Sequence, residues 1–191
     1  MKTTSSLLAA GLAGLALLLT GCLTISVYPF YSEKDVLFEP GLLGQWTKTN
    51  DTKEQWSFDK KGEKAYQLTC SDGAKKYVMD AHLFRLRDQL FLDLFNPKGP
   101  DDIMPPAVPT HLLMRVFQMK PAMRMAVMDY EWLSELLKKD PTALRHHRIT
   151  DENSQNAQIV LTADTTELQK FVGNNLKSDE AWKDSFDLQR N

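Results

Sequence analysis

The chain has 191 residues, 42% of them hydrophobic and 25% charged, with a formal net charge of -2 and two cysteines. That length suits one domain able to bury a core of its own. The mildly acidic balance argues against nucleic acid or an anionic membrane surface as a partner.

Lys2 places a positive charge at the start, and residues 7–19 contain only Leu, Ala and Gly. As a helix rising ~1.5 Å per residue, the run covers about 20 Å. That is short of a ~30 Å hydrocarbon core and matches the hydrophobic region of a signal peptide. Leu19, Thr20, Gly21 and Cys22 close the run. An aliphatic residue, a small one, Gly and then Cys resembles the lipobox of bacterial lipoproteins. The resemblance implies cleavage between Gly21 and Cys22, a thioether-linked diacylglycerol on Cys22, and acylation of the new amine. Two or three acyl chains hold stably where one binds only marginally, at about 0.8 kcal/mol per buried CH₂. Leu23 stands where Asp would signal inner-membrane retention, so the resemblance implies an outer-membrane lipoprotein facing the periplasm. With Cys22 acylated, Cys70 lacks a partner for an internal disulfide even in an oxidising compartment.

Residues 23–40 form a lead-in whose Tyr28, Phe30 and Tyr31 are expected to pack on the domain rather than sit among headgroups. From residue 44 the pattern has period two. Trp46 and Lys48, then Trp56 and Phe58, then Tyr66, Leu68 and Cys70 alternate with polar neighbours, as in half-buried antiparallel strands. Asn50-Asp51, Lys61-Gly62 and Ser71-Asp72-Gly73 mark turns. Residues 77–86 predict a longer strand with a bulge or bend, and Arg87-Asp88 a turn into a strand over 90–95. Residues 96–110 hold Pro97, Pro100, Pro105, Pro106 and Pro109. They predict a loop, either a binding loop or a passive excursion.

Strands over 111–119 and 123–128 flank Lys120-Pro121. Asp129 caps a helix over 130–139, with Glu131 in its first turn and Leu133, Leu136 and Leu137 as its apolar stripe. Strands at 146–150 and 158–162 follow, around a polar loop. Asp164 and Glu167 form a capping pair for a helix bearing Leu168, Phe171 and Val172, stopped by Gly173-Asn174. Residues 175–191 predict a short, loosely docked helix. The whole predicts a mainly β (α+β) fold, an antiparallel meander forming a barrel-like or strongly curved sheet with two or three helices. The expected layout is a signal peptide (1–21), a lipidated lead-in (22–41), a β-rich domain (42–173) and a polar tail (174–191).

No Gly-x-Ser-x-Gly elbow, His-Glu-x-x-His, Cys-x-x-Cys pair or phosphate-cradling Gly-rich loop is present. His146 and His147, adjacent on a strand, point to opposite faces and do not readily share a metal ion. His82 and His111 are lone. Met104, Met114, Met119, Met123, Met125 and Met128 cluster in sequence. Thioethers could hold Cu(I) or line a site for an apolar ligand; a Met-rich core is placed first, ligand lining second and copper last. Cys70 shares a strand face with Tyr66 and Leu68 and reads as a small core residue. Asp101-Asp102 and Asp151-Glu152 read as solvated loop carboxylates.

Gly44-Gln45-Trp46, preceded by Leu42-Leu43 and followed by a meander, resembles the Gly-x-Trp opening of lipocalins. That resemblance implies an eight-stranded barrel closed at one end by the Trp, with room for a small apolar molecule inside. In that family an Arg of the last strand packs on the Trp. With residues 158–162 taken as the last strand, no Arg is in place, and the helix at 130–139 interrupts the strand order.

The expected function is that of a non-enzymatic envelope lipoprotein binding a small apolar ligand or an envelope protein partner, with no cofactor beyond the lipid on Cys22. Met114, Met123, Met125, Phe117 and Trp46 are the candidate ligand-binding residues, near a rim formed by residues 97–110. The alternatives are an enzyme of unrecognised type, built around His82, His111 or His147, and a structural lipoprotein with no ligand.

Overall fold

In a computed structural model, residues 24–97, 109–149 and 158–191 are described. The lipobox with Cys22, Met104, Asp101-Asp102 and Asp151-Glu152 lie outside them. The described strands are β1 (Thr24–Ser26), β2 (Gly44–Lys48), β3 (Asp51–Lys60), β4 (Tyr66–Ser71), β5 (Lys76–Leu86), β6 (Gln89–Asn96), β7 (Thr110–Gln118), β8 (Met123–Val127), β9 (His146–Ile149), β10 (Gln158–Leu161) and β11 (Ser185–Arg190). The helices are α1 (Tyr130–Lys139) and α2 (Thr165–Asn174).

From β2 to β8 each strand pairs antiparallel with the next, and β11 pairs with both β8 and β2. The result is a closed eight-stranded antiparallel barrel. The ring has two distinct ends. One carries the 61–65 and 120–121 turns, with the 3-10 turn Pro40–Leu42 beside it. The other carries the 49–50 and 72–75 turns. Outside the ring, β1 pairs antiparallel with the start of β7 and parallel with β10, which pairs with β9.

Two cores follow from the alternation. Inside the barrel lie Trp46, Trp56, Phe58, Tyr66, Leu68, Cys70 and their neighbours. On its outer face, Phe84, Phe91 and Leu113 are covered by Leu133 and Leu137 of α1, by Leu168, Phe171 and Val172 of α2, and by Phe30 and Trp182. Coverage of both faces explains the mixed pattern of β5. Its register with β4 and β6 is unbroken, so of the bulge or bend expected in it, no bulge is present. Leu83 faces the interior and Phe84 the outer core, and a strand buried on both sides loses its alternation. Irregularities fall instead at Thr47/Lys48 and Val116/Gln118.

The helix starts form as their cap residues require. Asp129 accepts a hydrogen bond from the Trp132 amide at 2.7 Å, and Asp164 accepts one from Glu167 at 3.0 Å. Glu167 turns its carboxylate to Arg145, at 2.8 Å. α2 ends at Asn174, within the Gly173-Asn174 pair expected to stop it, with Gly173 itself still helical. Its role is close approach: a Cβ there would lie 3.1 Å from the Arg87 guanidinium, which donates to the Gly173 carbonyl at 2.6 Å. The tail differs most from expectation. After a 3-10 turn at Glu180–Trp182 it forms β11, which closes the barrel. Leu188 is fully buried inside and Trp182 is buried in the outer core. These apolar residues, scattered in a polar tail, take their places in two different cores.

Candidate functional site

Gly44 opens β2 with φ +113, a conformation that favours glycine, and a Cβ there would lie 3.1 Å from Nη2 of Arg190. Two residues on, Trp46 points inward and donates from Nε1 to the Leu42 carbonyl at 3.0 Å. The Arg190 guanidinium stacks over its ring with 5.2 Å between Cζ and the ring centre, and donates to the carbonyls of Gly41 and Leu43. An arginine of the last strand therefore does pack on this Trp. It was missed because that strand is β11, not residues 158–162.

Trp46, Met114, Met123 and Met125 lie together in the barrel core. Met123 and Met125 have no accessible surface, and Trp46 and Met114 each retain 2%. Tyr66, Leu68, Cys70, Ala81, Leu83, Leu92 and Leu188 around them are equally closed. A void large enough for water would leave its lining side chains with accessible area. These have at most 2%, so around them the interior is closely packed, as an eight-stranded barrel of large side chains allows. Phe117 does not join them. It is 40% exposed on the outer surface, beneath the Arg115 guanidinium at 4.7 Å. Of the remaining methionines among the described residues, Met128 belongs to the outer core and Met119 packs at the edge of the inner one.

An ion pair lies inside the barrel near the 49–50 turn. Lys48 Nζ lies 3.0 Å from Glu54 Oε2, and Glu54 Oε1 accepts from Trp56 Nε1 at 3.0 Å. Cys70 lies across the β3–β4 ladder from Trp56. Burial, with the Glu54 charge second, raises its pKa far above the ordinary thiol range, so it stays protonated and unreactive.

The principal ionisable cluster is on the outer face of β5, β6 and β7. Asp93, fully buried, accepts from the Phe30 amide at 2.8 Å through Oδ2 and meets His111 Nδ1 at 2.7 Å through Oδ1. An ionised Asp93 places the imidazole proton on Nδ1. His111 stacks on Phe95, with ring centres 4.7 Å apart. His82, the cross-strand partner of Asp93, stacks on Tyr31 at 4.6 Å. Burial lowers the His82 pKa against the opposing pull of Asp93, Asp80 and Glu33. Burial, then the same three carboxylates led by Asp93, raises Tyr31 to about 12.

An Asp–His pair is the base half of a nucleophilic site, but the hydroxyl opposite it, on Ser26, is fully buried. Ser26, across from His111 in the β1–β7 ladder, accepts from the Tyr28 amide at 3.2 Å. The cluster instead fastens the lead-in. Asp93 holds Phe30 from the barrel side. Thr165 donates to the Pro29 carbonyl at 2.8 Å and Gln169 to the Phe30 carbonyl at 3.1 Å from the α2 side.

Asp93 was not singled out from the sequence, although a signal was there. It is the lone carboxylate within residues 90–95, where neighbours on both faces are apolar, and such a residue must find internal partners. His146 contacts the Leu144 carbonyl at 2.9 Å through Nδ1 while His147 is exposed. Among the described residues no three His, Cys, Asp or Glu side chains group as a metal site, and no helix is long and apolar enough to cross a membrane. Compared with protein-family models, curated proteins and solved structures, the chain finds no match in any of the three.

Proposed function

We propose that this protein is a non-enzymatic envelope lipoprotein, held by lipid on Cys22 at the periplasmic face of the outer membrane, where its barrel serves as a solid scaffold for an envelope protein partner. The observation that carries the choice of a protein partner over an apolar small molecule is the packed interior. Trp46, Met114, Met123 and Met125 fill the space that a ligand would need. The Trp46–Arg190 stack supports likeness to the lipocalin barrel at its closed end, while the closed packing of Met114, Met123 and Met125 beside Trp46 speaks against the ligand-carrying part of that likeness. The lipobox residues support the anchor. The clasp on Phe30 supports a body held close to it, since the chain is already tied down a few residues after Cys22.

The anchor is tested by mass analysis and fractionation of the exported protein. A diacylglycerol-bearing Cys22 in outer-membrane fractions is expected, with loss of membrane association in Cys22→Ser. An unmodified, freely soluble product from the unaltered chain refutes it. Native mass spectrometry of the soluble domain from residue 23 decides between partner and ligand. Apolar small molecules retained in stoichiometric amount would overturn the scaffold reading.

A further inference from the structure

We infer that the outer face of β2, β3, β4 and the first half of β5 is a self-association surface. A second copy of this chain docks on it about a two-fold axis that crosses β3 near Gln55 and reverses the strand direction. The helices cover the outer face of the barrel where Phe84, Phe91 and Leu113 lie. On the other side the outward positions are open, with Gln45, Gln55, Gln67 and Val78 exposed.

The register shows how this face is built. One cross-strand row is Gln45, Ser57, Thr69 and Val78, and the next runs from Thr47 through Gln55 and Ser71 to Lys76. The middle of the face is therefore uncharged, as the centre of an interface tends to be. Charge sits at its two ends and differs in sign. Asp59 and Asp80 stand level with Gln67 toward the 61–65 turn, Asp80 already holding Lys61 at 2.6 Å. Lys53 and Lys76, both exposed, stand toward the 49–50 and 72–75 turns. Asp72 of that end turns its carboxylate to the Ala74 and Lys75 amides instead.

Trp56 lies midway between Lys53 and Asp59 on β3, each ~10 Å along the strand from it. A two-fold axis across the strands at that level lays β3 of one copy over β3 of the other, antiparallel. Each Asp59 then faces the other copy's Lys53, and neutral middle faces neutral middle. Copies docked with their strands parallel would set Asp59 against Asp59. The face spans three strands and part of a fourth, less than the roughly 20–30 residues a side of a standard interface, so the dimer is weak and reversible. It is additional to the scaffold role proposed above and does not depend on lipid at Cys22.

The test uses the full-length exported protein in the intact cell envelope, treated with a short bis-maleimide. Gln55→Cys stands beside the axis, and Lys170→Cys on α2 stands on the covered side of the barrel. The unmodified protein is the blank for Cys22 and Cys70. A product of twice the chain mass is expected for Gln55→Cys and not for Lys170→Cys. In the Gln55→Cys background, Lys53→Glu should cut its yield about fivefold, because the reversal acts at two symmetry-related surface ion pairs. Adding Asp59→Lys to that variant should restore the yield, since the reversed pair again meets its opposite in the other copy. Trp emission of the purified variants checks that they stay folded. No dimer at position 55, an equal yield at position 170, indifference to Lys53→Glu, or no recovery with Asp59→Lys in folded protein overturns the proposal. A product at position 55 with the mass of a different protein gives the face to another partner and overturns it too.

Discussion

Arg190 and Trp46 join the last strand of the barrel to its closed end. The guanidinium lies over the indole at 5.2 Å and at the same time donates to the Gly41 and Leu43 carbonyls, while the indole nitrogen donates to Leu42. One arginine thus holds β2, β11 and the 3-10 turn in a single arrangement. Arg190→Ala is expected to lower stability by about 1–2 kcal/mol, the sum of a cation–π contact and partly exposed hydrogen bonds. Arg190→Lys should recover less than half, because an ammonium cannot fork to two carbonyls while lying flat on a ring. Urea unfolding followed by Trp fluorescence measures both. Truncation after Asp184, which removes β11, should abolish the cooperative transition by leaving β2 and β8 as facing open edges.

The Asp93 carboxylate is buried with two donors on it. In Asp93→Asn the amide oxygen can serve the Phe30 amide, but the His111 ring then meets an NH₂ group and must carry its proton on Nε2 to accept from it. A loss of about 1–2 kcal/mol is expected, the difference between charge-assisted and neutral hydrogen bonds. Hydrogen exchange at the Phe30 amide should accelerate by more than the global loss of stability explains. Equal acceleration throughout the barrel would show that Asp93 does not specifically secure the lead-in.

His82 titrates against burial. Its folded pKa lies below the ordinary histidine value, so the unfolded chain takes up a proton first as the pH falls. Its contribution to stability is therefore fully present above the unfolded pKa, about 6.5, and declines as the pH drops through the interval down to the folded pKa. Urea midpoints are expected to fall between pH 7.5 and 5.5. His82→Phe keeps a ring against Tyr31 but cannot titrate, and should flatten that fall. An unchanged pH slope in the variant would assign the effect to other groups.

Glu54 serves two donors inside the barrel, Lys48 and the Trp56 indole. Glu54→Ala strands a nearly buried ammonium and should cost about 3 kcal/mol, whereas the double variant Lys48→Met, Glu54→Leu should cost much less, because no uncompensated charge is left behind. Urea unfolding of Lys48→Met, Glu54→Leu and their double variant closes a cycle that gives the coupling directly. Trp56 emission should shift in the single variant.

The local elements were legible before any tertiary contact was known. Alternation at Trp46, Trp56 and Phe58, and at Tyr66, Leu68 and Cys70, marked strands because one face of each is buried and the other wet. Asp129 and Asp164 marked helix starts because a carboxylate capping free amides is a local interaction. What escaped was whatever depends on a distant partner. The mixed pattern of β5, read as a bulge or bend, comes instead from a second core that covers its outer face. Gly173, read with Asn174 only as a helix end, is also the seat of Arg87, far away in the chain. The polar tail became β11 because two barrel strands left an edge to be filled, and Arg190 found Trp46 only once that edge was closed. Asp93 looked like an ordinary strand residue until the fold buried it against Phe30 and His111. The sequence by itself determined the periodicities and caps, since those are decided within a few residues. The tertiary structure alone decided barrel closure, the filling of its centre and the tying-down of the lead-in, since each needs residues far apart in the chain to meet.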